Sequence, residues 1–297
     1  MTAAALAAPG YSRPLNRRAR ITSTIMYLLC CACAAIAILV LVSLIGYVLY
    51  RGLSALSWSL FANNPFDTPG GMRNCIAGTL LLICTSSCLG VPVGMLCGIY
   101  LAEFARDNFF SRTIRTTVDV LAGTPSVIVG VLAYQLVVRP MGHPSGWAGT
   151  VALGFVMCPI IARTTEEMLR LVPQAYREAS VGVGASKFQT LVRVVLPAAR
   201  SGIITGVMLA VARIAGETAP LVFTTNFSNL PLFEFTGPHA PSIHFNQDYP
   251  TMTVWIYENA TSQRNDWVAA AWAGMVVLIA LIMILNLAVR HFSKRHR

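Results

Sequence analysis

Residues 174–197 read QAYREASVGVGASKFQTLVRVVLP and lie in the middle of a polar interval, 163–202, that separates two strongly apolar runs. The interval is much longer than a turn between two antiparallel helices requires. Its spacing predicts two short helices, 164–179 with an interruption at Pro173 and 186–195, with Gly182 and Gly184 between them. Helical spacing alone leaves two interpretations open, a knob that docks on another protein or a pair of amphipathic helices on a membrane surface.

The apolar runs on either side of this interval belong to a larger set. Hydrophobic residues make up 55% of the 297 positions and charged residues 11%, whereas soluble domains carry about a quarter charged residues. Runs of roughly 20 apolar residues are long enough to cross a bilayer as helices. The sequence therefore predicts an all-α, six-span polytopic membrane protein, with spans at 21–50, 75–102, 118–138, 147–162, 203–225 and 267–289.

The net charge of +10 is explained by the orientation of these spans. Of the 22 lysines and arginines, 17 fall in alternate segments, 1–20, 103–117, 163–202 and 290–297. The opposite segments hold only Arg51, Arg73, Arg139 and Arg264. The positive-inside rule then places both termini in the cytoplasm. Nucleic-acid binding is not predicted, because basic and aromatic residues are not interleaved.

The predicted organisation follows directly from these spans and charges. A first span, 21–50, comes after a cytoplasmic tail, 1–20, and is followed by an external loop, 51–74. A core of five spans, 75–289, contains the cytoplasmic loop 163–202 and the external loop 226–266, and the chain ends in a second cytoplasmic tail, 290–297. The external loop 226–266 either receives an external protein or lies at the membrane interface, anchored by its aromatic residues. These aromatics are Phe233, Phe235, Phe245, Tyr249, Trp255 and Tyr257.

Two charged residues, Arg213 and Glu217, lie within the fifth apolar run. A charge near mid-bilayer costs about 2.5–3.5 kcal/mol on insertion scales and needs a partner, a cavity or a transported ion. Residues four apart share a helical face. Pro220 cannot donate to the carbonyl of Gly216, which predicts a helix break at Pro220.

The Arg213 and Glu217 pair has two interpretations. In one, it is a neutral ion pair that fixes helix packing. In the other, it belongs to a substrate route on which the guanidinium contacts a tetrahedral oxyanion. Glu217 then holds the arginine or accepts a proton from the anion, which favours phosphate over fully deprotonated sulfate.

The sequence predicts neither a metal site nor ATP hydrolysis in this chain. Most of its eight cysteines lie in apolar runs, where cysteine behaves as a small hydrophobe. A phosphate-binding loop requires Gly, four residues and then Gly-Lys-Ser/Thr. The nearest stretch, 182–188, has Ser186 before Lys187 and Phe188 after it. No cofactor is therefore expected in this chain.

The central interval resembles the EAA loop of binding-protein-dependent ABC importer permeases. Matching positions are Glu178, Ala179, Ser180, Gly184, Val194, Leu196 and Pro197. The chain departs from the family pattern at Ser180, where alanine is usual, and at Val194, where isoleucine is usual. In that family the two helices of the loop sit in a cleft of the ATPase subunit. The resemblance therefore implies that 163–202 is a coupling element, with ATP and Mg bound in the partner ATPase subunits.

Three further stretches look like the PstA family, the permease subunits of phosphate ABC importers: 122–126 (AGTPS), 163–166 (RTTE) and 213–221 (RIAGETAPL). The resemblance implies a type I ABC importer (MetI-like) permease fold in the bacterial inner membrane. It also implies a heterodimer with a PstC-like permease, a PstB-like ATPase dimer and an external PstS-like phosphate-binding protein. Arg213, Glu217, Thr218 and Arg163 are then expected on the substrate pathway. From the residues alone, Arg163 fits equally well as a side chain that snorkels at the end of its span.

Three other functions remain open on the sequence. A permease for sulfate, molybdate or phosphonate would share the same coupling loop. A membrane scaffold or signalling protein would use 163–202 only to hold a cytoplasmic partner. A membrane-embedded enzyme is disfavoured, because the spans contain no Ser/His, metal-ligand or paired-carboxylate arrangement.

Overall fold

The computed structural model describes residues 17–64, 71–105, 108–227, 232–234 and 242–294, and nearly all of these residues are helical. The tail residues 1–16 and 295–297 and the aromatic residue Phe235 lie outside the described residues. Within them, the helices are α1 Arg17–Ser54, α2 Ser59–Ala62, α3 Arg73–Ile99, α4 Phe109–Gly123, α5 Ser126–Ala133, α6 Arg139–Met141, α7 Gly146–Arg170, α8 Gln174–Gly182, α9 Lys187–Thr190, α10 Leu196–Ala215, α11 Ala219–Thr224, α12 Met252–Ala260 and α13 Asn265–Lys294.

Short irregular elements complete this architecture. Three π-helical segments occur in the described chain: Tyr100–Phe104 extends α3, Tyr134–Val138 joins α5 to α6, and Leu191–Val195 joins α9 to α10. Two two-residue strands, β1 Phe233–Glu234 and β2 Ser242–Ile243, pair antiparallel. The chain divides into two compact units, 1–50 and 51–297, and the second contains every site described below.

Five helical stretches in the described chain are long and apolar enough to cross a membrane. They are Arg18–Ser54, Arg73–Phe104, Gly146–Arg170, Lys187–Ala215 and Asn265–Ala288. A sixth span is obtained when α4 and the helical stretch Ser126–Met141 are counted together, although they meet at an angle of 108°. The predicted all-α architecture of six spans agrees with this count.

The third predicted span, 118–138, is not a continuous helix. Thr124 is extended, with ψ 134°, and Pro125 follows it before α5 begins at Ser126. Proline lacks the N–H that an α-helix needs, and it disfavours helical geometry in the residue before it. The chain therefore bends at Thr124–Pro125 instead of continuing through the predicted span.

The core of the second unit lies where α3, α7 and α10 pack together. Buried side chains from these helices form one cluster, including Leu82, Met157, Ile161 and Ile214. The helices α3 and α7 approach closely because glycine recurs on α3 at every fourth position, at Gly90, Gly94 and Gly98. A Cβ on Gly98 would lie 2.5 Å from the carbonyl oxygen of Ala162. Small residues at this spacing let two membrane helices approach backbone to backbone.

The external loop 226–266 contributes core residues as well as surface. Tyr249 is fully buried, its hydroxyl donates to the carbonyl of Gly78 (3.2 Å), and Trp255 on α12 is also buried. The backbone N–H of Met252 donates to Thr79 Oγ1 on α3 (2.8 Å). Tyr249 and Trp255 therefore pack against the helices, whereas Tyr257 is exposed. The interface-anchor interpretation does not fit Tyr249 and Trp255.

Candidate transport and coupling sites

Arg213 and Glu217 lie where the fifth spanning helix ends. α10 stops at Ala215, the residues 216–218 are non-helical, and α11 begins at Ala219. Arg213 Nε lies 3.3 Å from Glu217 Oε1, with the arginine side chain 52% exposed and the glutamate side chain 16% exposed. The glutamate is thus shielded by protein, while the guanidinium keeps donors that other groups can reach. The structure brings this predicted pair together.

The helix break lies at residues 216–218, directly before Pro220. Gly216 caps the end of α10, and its N–H donates to the carbonyl of Arg213 (3.2 Å). Pro220 occurs in the first turn of α11, where a missing N–H costs little because that donor has no partner within the helix. The missing bond from Pro220 to the carbonyl of Gly216 is the reason for which the sequence predicts a break, and the non-helical residues 216–218 lie within this turn. Thr218, partly buried, is the last residue of this break.

Three neighbouring helices hold the break in place. Gly130 on α5 leaves room for Pro220, since a Cβ there would lie 2.6 Å from the proline Cα. Gly149 on α7 is close to Leu221 and Thr225 in the same way. Ile282 on α13 approaches Gly216, with 3.8 Å between its Cδ1 and a Cβ built at the glycine. The backbone around Arg213 is therefore positioned by close packing.

Arg213 belongs to a stripe of exposed residues that runs along α10. Ser201, Thr205, Leu209 and Arg213 are all exposed and recur at every fourth position. The opposite face of the helix carries the buried residues Ile203, Ala210 and Ile214. Residues four apart lie on one helical face, so this face of α10 points away from the described bundle. It is available to a pathway or to another subunit.

Arg163 is held by two carboxylates and does not lie beside Arg213. Its Nε donates to Glu167 Oε1 (3.0 Å) on α7, and its Nη1 contacts Asp119 on α4. The neighbouring Thr164 packs against Gly206 of α10, seven residues before Arg213. At 1.5 Å per residue, that separation is about 10 Å along the helix axis. The two predicted pathway arginines therefore occupy different depths.

A second charge cluster joins α4 to α7 beside the first. Glu166 on α7, whose side chain is 10% exposed, accepts from Arg115 Nε (3.2 Å) and Nη2 (3.0 Å) on α4. Arg170 Nη2, one turn further along α7, lies 2.7 Å from the same carboxylate oxygen. Charge-assisted contacts from two arginines stabilise a carboxylate at a shielded position. These contacts and the Arg163 cluster fix α4 against the cytoplasmic half of α7.

The middle of the interval 163–202 forms a compact knob built from α8 and α9. Gly184, between them, has φ +87°, a conformation that side-chain-bearing residues resist. Ser186 then caps α9: its Oγ accepts from the N–H of Gln189 (3.3 Å), and the Gln189 side chain accepts from the N–H of Ser186 (2.9 Å). Ser180 Oγ lies 2.9 Å from Thr190 Oγ1 and ties α8 to α9. Ser180 thus supplies a hydroxyl contact that alanine would lack.

The residues of the predicted motif divide between the surface of this knob and its base. Glu178 and Ala179 are exposed on α8. Val194 and Leu196 are partly buried, while Pro197 lies in the first turn of α10. The base is an apolar cluster of Leu169, Val172, Leu191, Val195, Ala199 and Ile203. This cluster joins the ends of α7 and α10 to the π-helical segment that follows α9, and α8 presents Glu178 outward.

Large apolar side chains are exposed on the knob. Val183 is 86% exposed, and Tyr176, Val181 and Phe188 are also exposed. Several large exposed apolar side chains on one short segment are typical of a contact surface for a protein or a membrane. Among the described residues, no group of three or more His, Cys, Asp or Glu side chains could hold a metal ion.

Sequence reasoning missed three side chains that organise these sites, Asp119, Glu166 and Arg177. Asp119 and Glu166 pair with residues 44 and 51 positions away, and Arg177 with a residue 74 positions away. The local signals were the 163–166 stretch, which contains Glu166, and the charge spacing on α7, where Arg163, Glu167 and Arg170 recur at helical intervals. That signal does not identify partners on other helices.

The described chain matches known transport proteins over most of its length. Residues 90–297 match the model of the binding-protein-dependent transport system inner membrane component family. Among curated relatives, the chain is 39% identical to the phosphate transport system permease protein PstA of Yersinia pestis, covering 81% of this chain and 79% of that one. It is 32% identical to PstA 1 of Mycobacterium tuberculosis strain H37Rv, covering 97% and 94%.

A solved structure shares the fold. A chain of the MetNI methionine ABC transporter, in an inward-facing crystal form, superposes with a TM-score of 0.58 at 19% identity. The superposition covers 76% of this chain and 94% of that one. At this identity the likeness concerns the fold alone, and it confirms the MetI-like permease architecture expected from the sequence.

Proposed function

Because the chain belongs to the PstA family of binding-protein-dependent transport system inner membrane components, we propose that it is the permease subunit of an ATP-driven importer of inorganic phosphate. It is a multi-pass membrane protein, and its place is the bacterial cytoplasmic membrane. The chain itself is not an enzyme. It forms one half of the phosphate pathway through the membrane. When the ATPase subunits move, it opens this pathway alternately to the outside and to the cytoplasm.

The observation that carries this proposal is the half-exposed guanidinium of Arg213 beside a packed helix break. A guanidinium offers a planar fork of donors that matches the oxygens of a tetrahedral oxyanion. Glu217 occupies one edge of the fork and leaves the remaining donors accessible. An anion that still carries a proton can also donate a hydrogen bond to the carboxylate of Glu217. Inorganic phosphate carries such a proton at neutral pH, whereas sulfate does not.

Coupling to ATP hydrolysis belongs to the knob formed by α8 and α9. Its exposed apolar residues and the exposed Glu178 suit a cleft in an ATPase subunit, while the π-helical segment that follows α9 packs on the ends of two spanning helices. A compact element with a packed base transmits displacement, because packed interfaces shift between discrete arrangements and do not deform continuously. ATP and Mg are held by the ATPase subunits.

The remaining partners follow from the same family membership. We propose a PstC-like permease that completes the pathway as a heterodimer, a PstB-like ATPase dimer on the cytoplasmic side and a PstS-like phosphate-binding protein on the outside. The exposed face of α10 with Arg213 is turned toward the pathway shared with the second permease. The external loop 226–266, of which α12 forms the buried part, supports the docking site for the binding protein.

The test of substrate class is initial uptake of labelled phosphate by cells that lack this chain and receive it back, with unlabelled sulfate or molybdate as competitors. We expect cells that receive the chain back to take up labelled phosphate. Unlabelled phosphate should suppress this uptake, whereas sulfate and molybdate should leave it unchanged. Competition by sulfate or molybdate would assign the chain to another oxyanion. Uptake that is equal with and without the chain would favour a scaffold role for 163–202.

A further inference from the structure

The helix that carries Glu178 has little apolar attachment to the rest of the chain. α8 buries none of its nine residues. The apolar cluster beneath it draws its buried residues from α7, the 171–173 turn, α10 and the π-helical segment before α10. Apolar contacts of α8 therefore contribute little to fixing its position. Within the described residues, the polar side-chain contacts of α8 to other elements come from Arg177 and Ser180.

These two contacts differ in where they lead. Ser180 reaches Thr190 on α9 and stays within the knob. Arg177 contacts two membrane-spanning helices. Its Nη1 contacts Glu103, which lies in the π-helical segment that extends α3. Its Nη2 donates to the carbonyl of Leu169 (2.8 Å), in the last turn of α7. One guanidinium thus joins α8 to the cytoplasmic ends of two spans.

The environment of Arg177 makes these contacts stronger than those of a surface pair. The Arg177 side chain is 17% exposed and that of Glu103 is 16% exposed. Shielding from water strengthens a charged hydrogen bond, whereas exposed pairs contribute little. The carbonyl of Leu169 lies at the negative end of the dipole of α7, which also favours a cation. Arg177 points inward while its neighbour Glu178 is exposed.

The two spans that Arg177 contacts are packed closely against each other. They are the helices that approach along Gly90, Gly94 and Gly98, and a backbone contact as close as that at Gly98 leaves no room for independent sliding. When α8 is displaced, it pulls on Glu103 at the end of α3 and on the end of α7. Because α3 and α7 are closely packed, the displacement acts on both helices as one unit.

We propose that Arg177 is the positioning residue through which movement of α8 reaches α3 and α7 in the transport cycle. The proposal rests on the proposed function, since it takes 163–202 to be the loop that the ATPase moves. Without the guanidinium, α8 follows the ATPase while the spans stay behind. ATP is then hydrolysed with little phosphate transported.

The test uses the complete complex of both permeases, the ATPase dimer and the binding protein in proteoliposomes. Phosphate accumulation and ATP hydrolysis are measured together, and their ratio is the readout. We expect Arg177→Ala and Glu103→Ala to lower the ratio by about tenfold or more, since each removes a charged hydrogen bond. The control Arg200→Ala, at an exposed arginine on the first turns of α10, keeps the native ratio.

Two more variants separate transmission from folding. A folding defect lowers hydrolysis and accumulation together, whereas lost transmission lowers only the ratio. Arg177→Lys keeps the charge but cannot reach both acceptors with the same fork, so its ratio falls between those of the native chain and Arg177→Ala. The double variant Glu103→Arg with Arg177→Glu is expected to have a ratio of phosphate accumulation to ATP hydrolysis between those of Arg177→Ala and the native chain. It restores the ion pair with the charges exchanged, but it does not restore the hydrogen bond to the carbonyl of Leu169.

The role of Arg177 is overturned if Arg177→Ala or Arg177→Lys keeps the native ratio of accumulated phosphate to hydrolysed ATP. It is also overturned if the double variant Glu103→Arg with Arg177→Glu has a ratio no higher than those of its two single variants. Accumulation and hydrolysis that fall in proportion in both Arg177 variants also overturn it. A native complex that hydrolyses ATP without accumulating phosphate contradicts the proposed function instead. The two failures are therefore distinguishable.

Discussion

At the scale of single residues, the environment of Arg213 determines its role. A guanidinium in an apolar span that was fully enclosed by carboxylates would be a structural ion pair. Arg213 has one carboxylate partner at 3.3 Å, whereas Arg163, whose side chain is equally exposed at 52%, contacts two carboxylates. We therefore expect Arg213 to contact the anion, and Arg163 to attach α7 to α4 in this conformation.

If Glu217 serves to position Arg213, two substitutions of Glu217 should affect phosphate uptake differently. Glu217→Gln keeps an acceptor oxygen near Arg213 Nε and is expected to retain phosphate uptake within about threefold, whereas Glu217→Ala loses about tenfold. Initial uptake at equal membrane abundance is the measurement. A loss in Glu217→Gln as large as in Glu217→Ala would show that the carboxylate charge itself is required, as a proton acceptor is.

Gly98 limits how closely α3 and α7 can pack. A Cβ there meets the carbonyl oxygen of Ala162 at 2.5 Å and Thr165 Cβ at 2.7 Å. Gly98→Ala is therefore expected to destabilise the chain by about 1–3 kcal/mol, the usual effect of overpacking. Thermal unfolding in detergent measures it, with Gly182→Ala as the control, because a Cβ at Gly182 meets nothing within 4 Å. Equal midpoints for the two variants would contradict the close packing.

At the scale of elements, the knob depends on the turn between α8 and α9. Gly184 has φ +87°, where a β-branched residue is strained and asparagine is tolerated. Gly184→Val is expected to reduce uptake several-fold while ATP hydrolysis continues, and Gly184→Asn to keep most of it. Uptake and hydrolysis by the assembled complex provide the comparison. Identical behaviour of the two variants would mean that the left-handed turn is not needed for coupling.

The attachment of α4 to α7 depends on Glu166. Glu166→Ala leaves Arg115 and Arg170 without their shared acceptor, and we expect a loss of about 1–2 kcal/mol after allowing for the exposure of both arginines. Asp266→Ala, which removes the partner of the exposed Arg264, should leave thermal stability unchanged. Faster proteolysis at α4 in Glu166→Ala would accompany the loss. Unchanged stability and proteolysis would contradict this attachment.

The elements also show what the sequence allowed us to predict. The two short helices within 163–202 were predictable because their spacing and the glycines between them are local signals. The break after α10 was predictable because Pro220 cannot donate to the carbonyl of Gly216, which is also a local signal. The bend at Thr124–Pro125 carried a proline signal that the apolar run 118–138 obscured. Contacts such as Arg177 with Glu103 join residues 74 positions apart and have no local pattern.

At the scale of the whole molecule, orientation follows from charge. The distribution of lysine and arginine predicts that both termini are cytoplasmic and that 226–266 is external. A reporter enzyme that is active only after export should be active when fused after Thr261, at the end of α12, and inactive when fused at the C-terminus. Activity at the C-terminus would reverse the predicted orientation and place the knob on the wrong side for an ATPase.

The central claim is that this permease moves phosphate past Arg213. The most direct test is initial uptake of labelled phosphate in cells lacking the chain, complemented with the native chain, Arg213→Ala or the control Arg139→Ala. Arg139 is an exposed arginine at the start of α6 that bonds Gln135. Membrane abundance and assembly with the ATPase are checked for each. The account predicts native uptake with Arg139→Ala and a loss of at least about tenfold with Arg213→Ala. Native uptake with Arg213→Ala would contradict it.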